Sequence, residues 1–397
     1  MSFNRRTLFT AAGATAVAGA AGAGQAEASP RQFRQALDYA LRKLRSTAPN
    51  IKSFPQETKF EKWTFADDGG WVGGFWPGQL WLAYVDSHDE QFKTWAIESA
   101  LRLAPRRTDT STHDIGFLFY PSWVTAYRLT GDKSWRDGAI EAAGSLIQRY
   151  NPAGRFIRAW GKLGTPDNAG RVIIDCMMNL DLLTFVSQET GDRKYLDIAV
   201  AHAETTRKFF PRPDGSTPHV YDFDPVSGAP IGPNTNQGYS PTSCWSRGQA
   251  WGIYGFTTMY RRTRRQEFLD TARKLADYAL DVLTPDHVPV WDYRSPLAPN
   301  DIKDSSAGAI MACGLIDLAR ATGRYGYHVA ALRILDALCD TCLTTRSERA
   351  DAILARATRN RRNETGIEVS FPYGDYYLME ALLRVLKPRE LGAAIGL

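Results

Sequence analysis

Four stretches of this sequence repeat one pattern, and that pattern leaves few folds open. "LTGDKSWRDGAIEAAGSLI" (129–147), "ETGDRKYLDIAVAHAETT" (189–206), "RTRRQEFLDTARKLADYAL" (262–280) and "ATGRYGYHVAALRILDAL" (321–338) each set a turn ahead of an amphipathic helix. Glycine after a helix supplies a left-handed C-cap, and an adjacent Asp favours the next helix start. The charges fall on one face, which marks outer, solvent-facing helices. Between them lie more apolar helices, richer in small and aromatic residues. They start near "GGFWPGQLWLAY" (73–84), "IGFLFYPSWVTAYRL" (115–129), "CMMNLDLLTFV" (176–186), "SRGQAWGIYGFTTMY" (246–260), "SSAGAIMACGLIDLA" (305–319) and "GDYYLMEALLRVL" (374–386). Polar helices at about 31–46 and 89–103 complete twelve helices in six hairpins. "GRFIRAW" (154–160) and "TPHVYDFD" (217–224) read as short strands in long loops. The expected class is all-α, six hairpins closed into an (α/α)6 barrel; an open helical solenoid is the alternative.

Closure has a functional consequence. In a closed ring of hairpins the inner helices run the same way, so their N-termini and the long loops gather at one mouth, where sites usually lie. Residues at or near those starts include Trp71, His113, Asp114, Asp175, Arg247, Asp304 and Asp375, and the preceding loops add Trp160, His219 and Gln237. Trp and Tyr faces pack against sugars, and carboxylates suit glycosidic acid/base work. Each residue also has a plainer reading. Asp114, Asp175, Asp304 and Asp375 each stand where an N-cap would. His113 and the tryptophans suit a core, and Arg247 suits a structural ion pair. "RSERADAILARATRNRR" (346–362) reads as a solvated helix or loop whose arginines could serve an acidic substrate. Zinc-type His/Cys spacing, GxSxG and a phosphate-binding glycine loop are all missing.

The N-terminus reads as a targeting segment. Arg5–Arg6 in "NRRTLF" precede a weakly hydrophobic Ala/Gly stretch, and "AEA" (26–28) is an A-x-A cleavage site. The expected organisation is a twin-arginine signal over 1–28 and one catalytic domain over 29–397, exported to the periplasm or beyond from a bacterium. No later apolar run is long enough to span a bilayer, so no membrane contact is expected after cleavage. The net charge of +5 is too small an excess to argue for nucleic acid. Five cysteines are no disulfide framework, and Cys339-x-x-Cys342 in an apolar helical pattern suits buried structural thiols.

The blocks "GFWPGQLWLAY", "HDIGFLFYPS", "IIDCMMNLDLL", "DGSTPHVYDFDPVSGAP", "TNQGYSPTSCWSRGQAWGIYGF", "DSSAGAIMACGLIDL" and "YGDYYLMEALLR" follow one another from about residue 34 to residue 387. In that order the chain resembles the unsaturated glucuronyl hydrolases of glycoside hydrolase family 88. The resemblance implies the (α/α)6 barrel. It also implies hydrolysis of the unsaturated uronic acid that polysaccharide lyases leave at a non-reducing end, by hydration of a vinyl ether. It makes Asp175 the principal acid/base and Asp114 its close support. It places His113, Trp160, His219, Gln237, Arg247, Trp251 and Trp71 in the substrate-binding site. The implied partner is an unsaturated uronate-containing oligosaccharide, and no metal or cofactor is implied, because a vinyl ether is already activated towards protonation. A helix N-terminus lowers a carboxylate's pKa, whereas a general acid needs it raised. Asp114 and Asp175 are therefore expected to titrate as a coupled pair, like charge raising one of them. Gly116 is expected to keep the backbone clear of the sugar. Related unsaturated rhamnogalacturonyl hydrolases share fold and chemistry, and a catalytically silent glycan-binding toroid stands as the non-enzyme alternative.

Overall fold

The computed structural model describes residues 30–397; the expected signal segment, 1–28, lies outside them. The α-helices are α1 (Pro30–Thr47), α2 (Phe75–Ser87), α3 (Glu90–Leu101), α4 (Ile115–Phe119), α5 (Thr125–Thr130), α6 (Lys133–Ile147), α7 (Cys176–Thr190), α8 (Arg193–Phe209), α9 (Ser246–Thr263), α10 (Gln266–Asp281), α11 (Ser305–Thr322), α12 (Tyr325–Thr341), α13 (Pro372–Leu386) and α14 (Pro388–Ile395). An inner ring forms from α2, the α4–α5 run, α7, α9, α11 and α13, each packed on the next, and α13 packs back on α2. The ring is closed, so the open solenoid is excluded. The outer helices are α3, α6, α8, α10 and α12, with α1 covering α13 and α12. The sixth hairpin is thus built from both ends of the described chain.

Five two-residue turns join inner to outer helices, and all use one backbone device. The first residue is left-handed: His88, Gly131, Gly191, Arg264 and Gly323 have φ of 54°, 71°, 74°, 58° and 68°. The second is extended, and Asp89, Asp132 and Asp192 there accept from Gln91 N, Ser134 N and Lys194 N. Every long connection consequently falls at the other end, where the inner helices begin.

Burial separates the rings as the sequence pattern implies. All residues of α11 from Ser305 to Ala319 are buried, because neighbours cover it on every side. α10 buries only a stripe through Phe268, Ala272, Leu275 and Ala279. Glycine lets the inner helices approach closely. A Cβ on Gly116 would stand 2.4 Å from Asn179 Cα, and one on Gly314 3.1 Å from Tyr254 Cα.

The inner helix expected over 115–129 is not uniform. Pro121 lacks a donor and crowds the preceding turn, and Tyr120–Val124 widen into a π turn between α4 and α5. Thr125 Oγ1 donates to Tyr120 O at 3.2 Å. The two expected strands appear in shortened form, as β4 (Phe156–Ile157) and β6 (Val220–Phe223); among the described residues five others accompany them, beginning with β1 (Phe54–Lys59), β2 (Lys62–Ala66) and β3 (Tyr150–Asn151). They include β5 (Arg171–Ile173) and β7 (Pro230–Asn234), which flank β6 in an antiparallel sheet. The far end of the lumen is closed by α14: Tyr120 donates to Ile395 O at 2.9 Å, and Arg261 to Gly396 O at 3.3 Å. The five cysteines are free, and all but half-buried Cys339 are buried.

Candidate active site

Two aspartates stand where helices begin at the open mouth, and neither caps its helix. Asp114 precedes α4 and Asp175 precedes α7, with no side-chain bond from either to the helix N–H groups. The capping explanation is removed for both, and their carboxylates line one cleft of about 240 Å³. Asp375 lies inside the first turn of α13, not ahead of it, and accepts from Ile353 N and Leu354 N at 3.0 and 2.7 Å.

Asp114 Oδ2 accepts from Thr112 Oγ1 at 2.7 Å, and the same hydroxyl accepts from Asp114 N at 3.1 Å. His113 lies behind it, with Nε2 3.3 Å from Asp114 Oδ1. Burial pushes the Asp114 carboxyl up to about 7, with Asp175 adding to the rise and Thr112, Arg149 and Arg106 opposing it. The expected rise is present, but desolvation exceeds like charge as its cause. Burial pushes His113 down to about 3, so its imidazole is neutral at working pH.

The sheet brings His219 to Asp175. Ile173 pairs with Val220, and the ladder continues as Ile174 N donates to His219 O at 3.1 Å. One residue further, Asp175 Oδ2 lies 3.5 Å from His219 Nε2. The opposite nitrogen, Nδ1, accepts from Asn236 N and Gln237 N at 3.2 and 3.1 Å. An acceptor carries no proton, so the ring proton sits on Nε2 and faces Asp175. His219 is held between Trp245, 4.5 Å away by ring centroids, and Trp160, 6.2 Å away.

Trp71 and Trp160 supply the aromatic lining, and Trp71 stacks on Tyr373 at 5.0 Å. Gln237 lines the cleft and donates to Arg359 O at 2.8 Å. Arg247 and Trp251 do not reach the cleft. Arg247 is buried over the Trp245 ring, is paired with Asp304, and donates to Thr358 O and Arg359 O at 2.7 and 2.9 Å. Its charge is spent on its neighbours and on holding a loop. Trp251 is buried beneath, packed on Phe117 and Tyr377. His113 is also fully buried behind Asp114.

That loop is the largest departure from the sequence reading. Residues 346–362 form no solvated helix. They make an irregular strap bridged at Leu343–Leu354, Ala357–Val369 and Asn360–Thr365, with Ala350, Ile353, Leu354 and Ala357 buried. It is pinned by Asp375 from below and Arg247 from the side. It delivers Arg359 and Asn360 to the cleft, and Thr365, bridged to Asn360 just beyond it, joins them; the inner-helix starts could show none of the three. The Arg/Asn density of "RNRRN" was the one available signal. Gly116 faces Asn179 on α7, not the cleft, so it spaces two helices instead of clearing room for a ligand.

Comparison with known proteins follows the same lines. The family model described as Glycosyl Hydrolase Family 88 matches residues 45–358. The unsaturated chondroitin disaccharide hydrolase of Streptococcus pneumoniae is 36% identical over 367 residues, covering 90% of this chain and 92% of that protein. The crystal structure of the Bacillus sp. GL1 unsaturated glucuronyl hydrolase, responsible for the degradation of glycosaminoglycan, has a TM-score of 0.83 at 35% identity and covers 91% of this chain and 97% of its own. An unsaturated glucuronyl hydrolase specific for heparin has a TM-score of 0.86 at 31% identity, covering 91% of this chain and 100% of its own.

Proposed function

The chain belongs to glycosyl hydrolase family 88, and from that premise we propose that it removes the 4,5-unsaturated uronic acid from the non-reducing end of lyase-generated oligosaccharides. The observation that carries this reading is the convergence of Asp114 and Asp175, both free of capping, in one cleft lined by Trp71 and Trp160.

The chemistry follows from the substrate's vinyl ether. A proton adds to C4 of the C4=C5 bond, and the ring oxygen stabilises the positive charge left at C5. Water adds at C5 and gives up a proton to the site. The resulting hemiketal opens to a ketone, and the hemiacetal left at C1 releases the partner sugar. Asp175 is the principal acid/base. Asp114 stores the proton in the free site, because burial keeps it protonated up to about pH 7. Asp175, lining the same cleft, delivers the proton to C4. The proton on His219 Nε2 then holds the Asp175 carboxylate after transfer. The rule relating carboxylate spacing to inversion or retention does not apply, because the reaction centre is C4=C5 and not the anomeric carbon.

Arg359 is the one cation that lines the cleft among the described residues; its long contact with Glu57, 3.5 Å and partly exposed, leaves the guanidinium open to the uronate carboxylate. Arg247 acts through it, holding the carbonyls of Thr358 and Arg359, and Trp251 supports Phe117 from below. The reading includes export through the twin-arginine segment, after which no helix of the described residues is long and apolar enough to cross a membrane.

The test is Asp175→Asn, assayed by loss of the unsaturated uronate's ultraviolet absorbance. The expected result is a fall in kcat of about a thousandfold or more, with unchanged circular dichroism and retained disaccharide binding. Near-wild-type turnover would overturn the assignment.

A further inference from the structure

The cleft that holds the two aspartates is small. Its volume of about 240 Å³ falls below the ~300–1,000 Å³ typical of pockets that enclose a drug-sized ligand. It suits the reacting uronate, and the remainder of an oligosaccharide must lie outside it. A second hollow of about 460 Å³ adjoins it. The two share a wall made of the 236–239 and 357–365 segments, tied together where Asn360 Nδ2 donates to Asn236 O at 3.1 Å. Gln237, Arg359 and Asn360 face the cleft, whereas Tyr239, Arg361 and Arg362 face the hollow.

The hollow carries the two features an acidic sugar needs. Tyr239 and Leu297, 46% and 64% exposed, form an apolar floor, and exposed side chains of this kind pack against the flat faces of pyranose rings. Arg361 and Arg362 stand on the rim. Among the described residues Arg361 is paired only with exposed Glu364, at 3.4 Å. Arg362 is exposed and has no ion pair or hydrogen bond among the described residues. Asp301 also lines the hollow and accepts from Trp291 Nε1 and Ser295 Oγ, so the two arginines are matched in number by Asp301 and Glu364, and Arg362 is the one guanidinium of the two left without a partner among the described residues. Catalysis as derived above uses none of these residues.

Resting on the hydrolase reading, we propose that this hollow is a distal subsite that binds an acidic sugar further along the leaving chain, beyond the sugar joined directly to the unsaturated uronate. The shared wall places it along the exit from the cleft, and Arg362 is the group that meets the sugar's carboxylate.

The experiment compares an unsaturated, unsulfated hyaluronan disaccharide with the tetrasaccharide, which adds one interior uronate. Both are assayed on the intact protein, on Arg362→Glu and on Tyr239→Ala. For the intact protein the tetrasaccharide KM is expected to be lower than that of the disaccharide. Arg362→Glu should raise the tetrasaccharide KM by about fivefold, the scale of an exposed ion pair, and Tyr239→Ala should raise it in the same direction. Disaccharide kcat and KM should be unchanged in both. Turnover of both sugars with an unmoved tetrasaccharide KM, or an equal loss on both sugars, overturns the subsite and leaves the hydrolase reading standing. Turnover of neither by the intact protein overturns the hydrolase reading and the subsite with it.

Discussion

Asp114 sits at a position that helix physics would leave ionised, yet burial raises its carboxyl to about 7 from an ordinary 3.8. The sign of the consequence follows from linkage. A carboxyl whose folded pKa is raised contributes stability that is complete below about 3.8 and is lost as pH rises through about 7. Asp114→Asn removes that ionisation while keeping an oxygen to accept from Thr112. It should therefore be more stable than the parent at pH 8, by roughly 2–4 kcal/mol, and no more stable at pH 3.5. Turnover should fall steeply. Thermal melts across that pH range check this, and lower stability of the variant at pH 8 would return Asp114 to a structural role. Asp114 and Asp175 were legible in the sequence because each stands directly before an apolar helix. His219 was legible only through the family blocks, since its approach to Asp175 depends on a strand pairing. Arg359 was missed: its place in the cleft is decided by bonds from Arg247 and Gln237, more than a hundred positions away in sequence.

At the scale of elements, the distance between the two aspartates is the distance between the starts of α4 and α7. Gly116 and Asn179 determine it. The glycine lets α4 rest on the α7 backbone, and Asn179 Oδ1 accepts from Phe117 N at 2.8 Å. Gly116→Ala places a methyl group 2.4 Å from Asn179 Cα, in backbone that cannot step aside cheaply. The expected cost is about 1–3 kcal/mol of stability. A shift of about 1 Å between the carboxyls should also lower kcat by roughly a hundredfold. Melting temperature and kcat measured together check this, and normal kcat at normal stability would show that the glycine does not govern the spacing. Helix starts and two-residue turns were legible because caps and 3.6-residue periodicity are local. The strap over 346–362 was read as solvated because its arginines dominate its composition. Its buried alanines and leucine are held down by Asp375, a contact that no local pattern carries.

For the molecule as a whole, closure joins α1 to α13, so the barrel is complete only when the last inner helix has been made. A protein of this kind suits a route that carries folded cargo, which is the route the export proposal names. Replacing Arg5 and Arg6 together by lysine should leave the activity in the cytoplasmic fraction, with the parent's activity in the periplasm. Equal distribution of the two would remove the export reading. Closure also makes one mouth of six helix starts and seals the opposite end with α14. By itself the sequence determined the helical hairpins, their inward and outward faces, and which aspartates stand at inner-helix starts, because caps, turns and amphipathic stripes are written in neighbouring residues. Only the tertiary structure decided that the ring closes, that desolvation more than like charge tunes Asp114, that Arg247 is spent on Asp304 and the strap, and that Arg359 reaches the cleft. Those outcomes depend on burial and on contacts between distant segments, and neither exists until the inner helices have packed against one another.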